Sequence, residues 1–129
     1  MDDIYRDYIL DHFKNPRNYG EIEKPDISYS DSNPICGDEI RIDMKLEDGM
    51  VSDIKFIGRG CAISTASASI LTETIKGLSL DEVKKLGRKE MLEMLGIPLT
   101  PVRVKCALLA LKAVKAGAYG LTSWPGEEE

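Results

Sequence analysis

The chain has 129 residues, of which 43% are hydrophobic and 30% are charged, and its formal net charge is −5. This length fits a single domain over residues 1–129 with its own core, and the absence of a basic block argues against a nucleic-acid partner. No apolar run approaches the roughly 20 residues of a membrane span, and the acidic N-terminus lacks the apolar stretch of a signal peptide, so we expect a cytoplasmic protein without a membrane partner.

The first predicted element is an amphipathic helix over residues 3–14. Asp2 or Asp3 is a suitable N-cap, and Asn15-Pro16 ends the helical pattern. Six residues fall on one face at helical spacing: Ile4, Tyr5, Tyr8, Ile9, His12 and Phe13. His12 is the only histidine, and its place on this face is more typical of a packed residue than of a metal ligand, which is kept as the alternative.

A small antiparallel sheet is predicted over residues 26–58. Polar and apolar side chains alternate strictly over residues 39–46, which is the period of a half-buried strand. Residues 47–49 read Glu-Asp-Gly, a hairpin turn signal, and residues 51–57 carry the chain back as the next strand.

The chain from residue 62 to residue 117 is predicted to be helical. A run rich in small residues follows Cys61, and Ser79 and Glu82 have the spacing of a capping box. Short helices are therefore expected after Ser79 and over residues 89–95.

The last helix is predicted to be the longest and largely buried. Thr100 and Pro101 have the residue types of an N-cap and a first helical position, and Gly117 is the expected C-cap. Lys105 and Lys112 mark one wetter stripe on this apolar helix.

The order of helix, strands and then helices predicts an α+β fold. We expect a small three-stranded antiparallel sheet packed with about five helices. The tail at residues 120–129 is expected to be loosely held.

Three cysteines and one aspartate are the candidate site residues. Cys36 lies two residues before Asp38 on a turn, Cys61 follows Gly60, and Cys106 lies near the start of the last helix, so each thiol is expected to be exposed. Cys61 and Cys106 lie at or near predicted helix N-termini, where the helix dipole would favour thiolates. An odd number of cysteines in a reducing compartment favours metal or sulfur chemistry over disulfides. The spacings of 25 and 45 residues match no short zinc or ferredoxin motif, so inert buried cysteines are the alternative.

Asp38 adds a carboxylate to this set. A carboxylate can enter the same coordination sphere and binds iron more weakly than a thiolate does, which suits a cluster that has to leave. The alternative is a turn residue that hydrogen-bonds its own backbone. A Cys-His or Ser-His-Asp enzyme fits poorly, because the chain has one histidine and no G-x-S-x-G elbow.

Taken together, the three cysteine segments resemble the IscU/SufU scaffold family, also known as NifU N-terminal-like proteins. The resemblance covers nearly the whole chain and implies a scaffold, not an enzyme, on which a [2Fe-2S] cluster is built and passed to apo-proteins. The segments that carry it are residues 33–38 (Asn-Pro-Ile-Cys-Gly-Asp), 58–64 (Gly-Arg-Gly-Cys-Ala-Ile-Ser) with 66–67 (Ala-Ser), 101–106 (Pro-Val-Arg-Val-Lys-Cys) and, at the N-terminus, 8–20 with His-Phe-Lys-Asn-Pro-Arg-Asn at 12–18.

The resemblance also implies roles and partners. Cys36, Cys61 and Cys106 would be cluster ligands, Cys106 the persulfide acceptor, and Asp38 the residue that keeps the cluster labile and itself a candidate ligand. The implied partners are a cysteine desulfurase, an iron donor and recipient apo-proteins, and a second protomer of a homodimer is an alternative source of a ligand.

The chain departs from both branches of the family. Lys105 stands where IscU-type members have a histidine, and SufU-type members tend to have a lysine there as well. The insertion that SufU-type members carry between the second and third cysteines is not evident in this chain. Residues 99–103, Leu-Thr-Pro-Val-Arg, resemble without matching the segment that IscU-type scaffolds offer to a DnaK-like chaperone, so this partner stays open.

Two alternative functions remain. The first is a zinc-binding, SufU-like sulfur acceptor for a cysteine desulfurase, and so a sulfurtransferase, with zinc held by Cys36, Asp38, Cys61 and Cys106. The second is a structural zinc domain that binds other proteins.

Overall fold

The structure is a computed structural model that describes residues 3–34, 37–120 and 124–125, with side chains described from residue 6 onward. The predicted α+β fold is confirmed, because three strands and five helices follow one another in the predicted order. They are α1 (Asp3–Lys14), β1 (Ile27–Asn33), β2 (Asp38–Glu47), β3 (Met50–Arg59), α2 (Ala62–Ile75), α3 (Leu80–Lys84), α4 (Arg88–Leu95) and α5 (Pro101–Tyr119). Within the described part of the chain, no helix has the length and hydropathy that a bilayer crossing needs.

The sheet brings two distant segments to one end. Its strands are antiparallel in the order β1-β2-β3, Asn33 pairs with Asp38, and Glu39 pairs with Arg59. The turn between β1 and β2 therefore lies beside the end of β3, where the chain continues to Cys61.

Strand β3 extends further than the sequence predicts. The predicted strand covers residues 51–57, whereas β3 runs from Met50 through Arg59 and includes Gly58. A Cβ on Gly58 would lie 2.2 Å from the backbone oxygen of Glu39, so the glycine is needed for close pairing of β2 and β3.

Helices α2 and α5 contribute to one core with the sheet. Ile42, Met44 and Ile54 of the sheet are fully buried, together with Leu71 of α2 and Leu109 of α5. Each such side chain contributes about 1.5–3 kcal/mol by leaving water, so this layer holds α2 and α5 on the sheet.

Asp43 is buried among polar partners from three segments. It accepts hydrogen bonds from Ser28 Oγ (2.7 Å), the Ile22 N–H (3.1 Å) and Arg41 Nε (3.0 Å). Burial by itself raises the pKa of Asp43, but these hydrogen bonds outweigh it and hold the pKa below its usual value. The carboxylate therefore ties Ile22, which precedes the first strand, to the sheet.

The end of α5 corrects one prediction. The helix runs through Gly117 and ends at Tyr119, and Gly120, with φ of 72°, is the cap. A Cβ on Gly117 would lie 2.9 Å from Tyr29 Cβ and 3.1 Å from Ile27 Cγ2, so this glycine allows α5 to pack closely on β1. The start is as predicted, since Thr100 Oγ1 accepts the Arg103 N–H (3.4 Å).

His12 is packed between α1 and α2, as its face position predicted. Its side chain is buried, and Nδ1 lies 2.7 Å from Ser69 Oγ, which also accepts the Arg17 N–H at 2.9 Å. Burial lowers the pKa of His12, and the charge of Arg17 adds to this effect, so the neutral imidazole is favoured.

Candidate metal centre

Three of the four predicted site residues converge at the end of the sheet where the turn between β1 and β2 lies beside the end of β3. One ligand atom each from Asp38, Cys61 and Cys106 can be chosen so that all three lie within 4.8 Å of one another. They come from the first residue of β2, the residue before α2, and the second turn of α5. The fourth, Cys36, lies outside the described residues.

Cys61 is the N-cap of α2. Its backbone is extended, with φ of −71° and ψ of 172°, and its Sγ accepts the Ser64 N–H at 3.4 Å. A cap side chain faces the exposed N–H groups of the first helical turn, and the helix dipole there favours negative charge. The prediction that this thiol sits at a helix N-terminus is confirmed.

Asp38 faces Cys61 and is almost fully buried, with 2% of its surface exposed. Oδ1 accepts the Cys61 N–H at 3.1 Å, and Oδ2 lies 3.9 Å from Cys61 Sγ. The β1–β2 turn has its own backbone hydrogen bond, from the Gly37 N–H to the Asn33 carbonyl oxygen. The carboxylate thus bonds across the site to Cys61, and its role is more than that of a turn residue.

Gly60 leaves room for this carboxylate. A Cβ at residue 60 would lie 3.0 Å from Asp38 Oδ1 and 3.0 Å from Ser64 Oγ. A larger residue would therefore press on both sides of the centre, on the acid and on the first turn of α2.

Cys106 is neither exposed nor in the first turn of its helix, so two expectations about it are wrong. Its exposed fraction is 1%, and it is the sixth residue of α5, beyond the first turn in which a helix dipole acts strongly. The thiol is buried because α5 packs on the sheet along most of its length, which turns Cys106 inward toward Asp38 and Cys61.

The centre is reached from one side through a cleft of about 680 Å³. Asp38 and Cys61 border this cleft, and Arg59, Val102 and Arg103 line it from the ends of β3 and α5. Arg59 is highly exposed, although its guanidinium also pairs with Glu39 at 2.6 Å. The cleft gives a partner or small molecule access to the border of an otherwise buried site.

The donor set fits a soft or borderline metal ion. Thiolates and a carboxylate bind zinc at about 2.0–2.3 Å in tetrahedral geometry, so bound ligand atoms lie roughly 3.3–3.8 Å apart. Ligand atoms already within 4.8 Å of one another need only small shifts to reach this arrangement. Iron in thiolate-ligated clusters takes the same donor types.

Sequence reasoning missed two residues near the centre. Ser64 supplies an N–H to Cys61 Sγ, a contact that the N-cap position three residues earlier could have predicted. Trp124 packs over Lys105, with Nζ 4.9 Å from the ring centroid, and no local pattern connects these two residues. This contact brings one residue of the predicted loose tail against α5.

Comparisons with known proteins find a matching family and similar relatives over most of the chain. The family described as NifU-like N terminal domain matches residues 4–125. The zinc-dependent sulfurtransferase SufU of Bacillus subtilis is 40% identical, over 91% of this chain and 90% of its own length. The iron-sulfur cluster assembly scaffold protein IscU of Haemophilus influenzae is 38% identical, over 87% of this chain and 90% of its own length.

The alignment with the Bacillus relative spans 136 positions, more than the 129 residues here, so that relative has residues that this chain lacks.

Solved structures show the same fold. A candidate iron-sulfur cluster assembly scaffold for the SUF system from Fervidobacterium islandicum has a TM-score of 0.77 at 28% identity, over 90% of this chain and 97% of its own. The N-terminal part of a NifU-like protein from Brucella abortus has a TM-score of 0.72 at 27% identity, over 90% of this chain and 92% of its own. The chain therefore belongs to the NifU-like N-terminal domain family.

Proposed function

We propose that this chain is a single-domain scaffold on which a [2Fe-2S] cluster is assembled and then passed to apo-proteins. The observation that carries the proposal is the convergence of Asp38, Cys61 and Cys106, with ligand atoms within 4.8 Å, beside an open cleft. The cluster is cargo here, so the site has to bind it and also let it go.

Three thiolates hold the cluster in this proposal. Cys61 and Cys106 contribute two, and Cys36, two residues before Asp38 in the chain, contributes the third. Asp38 is the weaker oxygen ligand at the same centre, and it makes release easier because iron binds a carboxylate more exchangeably than a thiolate. A ligand from a second protomer is the alternative to Asp38.

Sulfur arrives from a cysteine desulfurase as a persulfide. The Cys106 thiolate attacks the outer sulfur, the bond between the two sulfurs of the donor breaks, and the donor cysteine leaves as a thiolate. Because Cys106 is buried and Cys61 borders the cleft, we infer that sulfur enters over Cys61. Reduction of this sulfur to sulfide takes two electrons per atom, which a thiol or an electron-carrier protein has to supply.

Partners follow from this chemistry. A cysteine desulfurase supplies sulfur, an iron donor supplies ferrous iron, and apo-proteins receive the cluster. A DnaK-like chaperone is a further candidate, since Val102 and Arg103 at the start of α5 are exposed.

The second candidate function is a zinc-dependent sulfur acceptor. Lys105 before Cys106 and the 40% identity to a zinc-dependent sulfurtransferase favour it, and three thiolates with one carboxylate suit tetrahedral zinc. Zinc would be held by Cys36, Asp38, Cys61 and Cys106 and would fix the position of the thiolate that takes up sulfur. A purely structural zinc domain has the same ligands but accepts no sulfur.

Single replacements of the site residues test the assignment. Cys36→Ser, Cys61→Ser and Cys106→Ser are reconstituted without oxygen with a cysteine desulfurase, cysteine and ferrous iron, and visible absorbance is recorded. Each serine variant should lose most of the cluster absorbance of the parent protein. Asp48→Asn is the matched control, because Asp48 lies in the β2–β3 turn at the other end of the sheet and has φ of 53°, which Asn tolerates. Full cluster absorbance in any serine variant would remove that cysteine from the ligand set.

A further inference from the structure

The only tryptophan of the chain lies against two lysines of α5. The ring centroid of Trp124 is 4.9 Å from Lys105 Nζ and 5.2 Å from Lys112 Nζ. The lysines are seven positions apart, which is about two helical turns, so they share one side of the helix. The stripe that the sequence predicts to be wet is therefore partly covered by this ring.

The two lysines are held differently. Lys112 also pairs with Asp31 of β1, with Nζ 2.7 Å from Oδ2, and its side chain is only 13% exposed. This ion pair fixes Lys112 to the sheet. Trp124 thus links Lys105 to an anchored part of the fold.

Lys105 directly precedes Cys106, so their Cα atoms are about 3.8 Å apart and the lysine backbone moves with the metal centre. A lysine has a long flexible stem, and its charge spreads over a wide volume unless its head is held. Contact with the face of a tryptophan attracts an ammonium more strongly than contact with other aromatic rings.

We propose that Trp124 is a positioning residue for the metal centre and that it acts through Lys105. It keeps the lysine charge close to Cys106, where that charge offsets the excess negative charge of an occupied site. Three thiolates and a carboxylate carry more negative charge than a divalent ion neutralises, so a nearby cation strengthens binding. This inference rests on the proposed function, because it assumes that the centre binds a metal ion or a cluster.

The test uses zinc affinity, measured on the full chain by competition with a chromophoric chelator. Trp124→Leu should weaken zinc binding at least twofold and by no more than about tenfold, because the energy of one cation–π contact is the upper limit of what Trp124 can contribute through Lys105. Trp124→Phe keeps a ring and should stay within about twofold of the parent. Lys105→Met should weaken binding as much as Trp124→Leu does.

A double-mutant cycle separates positioning from simple packing. If Trp124 acts through Lys105, the variant with both changes should bind zinc no more weakly than Lys105→Met alone. Lys84→Met is the matched control, because Lys84 lies over the Tyr119 ring at 5.6 Å near the other end of α5. It should leave zinc affinity unchanged.

The fluorescence of the single tryptophan gives a second readout. Zinc should change Trp124 emission in the parent protein and change it much less in Lys105→Met. The proposal is overturned if Trp124→Leu, folded by circular dichroism, binds zinc like the parent, or if it weakens binding equally with and without Lys105. If the parent protein binds neither zinc nor a cluster, that result refutes the proposed function, and with it the role of Trp124.

Discussion

The backbone N–H of Cys61 donates a 3.1 Å hydrogen bond to Oδ1 of Asp38, a residue 23 positions earlier in the chain. The other carboxylate oxygen, Oδ2, lies 3.9 Å from the Cys61 sulfur. One oxygen of Asp38 is therefore held by a backbone N–H, while the other lies near the Cys61 sulfur. An acid held in this way can bind a metal weakly without moving away from the site.

Asp38→Ala should lengthen the lifetime of the bound cluster severalfold, because this variant lacks the weak oxygen ligand that we propose eases release. The lost hydrogen bond to Cys61 should also cost about 1 kcal/mol of unfolding free energy. The lifetime is measured as the decay of visible absorbance after an apo-protein acceptor or an iron chelator is added. Asp48→Asn serves as control, and faster decay in Asp38→Ala would contradict the proposed role of the acid.

Gly60→Ala should weaken zinc or cluster binding while the protein stays folded. The new Cβ would lie 3.0 Å from Asp38 Oδ1 and from Ser64 Oγ, so both must shift by a few tenths of an ångström, at a cost of about 1 kcal/mol. Gly58→Ala is the comparison, because its Cβ would lie 2.2 Å from a backbone oxygen and should unfold the β2–β3 pair. Thermal unfolding and zinc affinity measured together separate these effects. Unchanged zinc affinity in Gly60→Ala would show that the site tolerates a Cβ there.

Asp43 should make the protein sensitive to acid. Its pKa in the folded state is below the ordinary value of 3.8, so the stability it contributes is present above pH 3.8 and is lost as the pH falls through the folded-state pKa. Asp43→Asn should cost about 1–3 kcal/mol at pH 7 and should reduce the further loss of stability below pH 4. Urea unfolding at pH 7, 5, 4 and 3 measures both effects. An acid-induced loss as steep in Asp43→Asn as in the parent would assign that loss to other carboxylates.

Protonation of His12 in mild acid should weaken the contact between α1 and α2. Burial, with Arg17 nearby, lowers its pKa below 6.5, so the folded state binds the proton less readily than the unfolded state does. The stability due to neutral His12 is therefore present above pH 6.5 and is lost as the pH falls from there toward the folded-state pKa. Unfolding free energy should drop between pH 7.5 and pH 5, and the drop should be smaller in His12→Gln. Equal drops in the two proteins would show that His12 is not the group responsible.

The periodic and capping signals of the sequence were sufficient to predict the order of the strands and helices. Alternation along β2 and the Ser79 capping box both reappear in the structure, since they depend on residues close in the chain. The end of α5 was misplaced because Gly117 and Gly120 are equally good local stop signals. The choice between them depends on the packing of Gly117 against Tyr29, which only the fold determines.

The residues of the candidate site could be predicted from the sequence, but their burial and their contacts could not. The thiol of Cys106 was expected to be exposed near a helix start, yet its burial depends on how α5 lies on the sheet. Asp43 has the alternation of an outward polar residue, and it is buried because Ile22 and Ser28 close over it. Contacts between segments far apart in sequence, such as Trp124 on Lys105, leave no local pattern to detect.

The central claim is tested most directly by the iron, zinc and acid-labile sulfide content of the parent protein. The protein is purified without oxygen, supplied with a cysteine desulfurase, cysteine and ferrous iron, and separated from small molecules before analysis. The scaffold account predicts iron and sulfide in equal amounts together with a visible charge-transfer spectrum. Zinc that stays bound while no sulfide accumulates would contradict the scaffold account and favour the zinc-dependent sulfur acceptor.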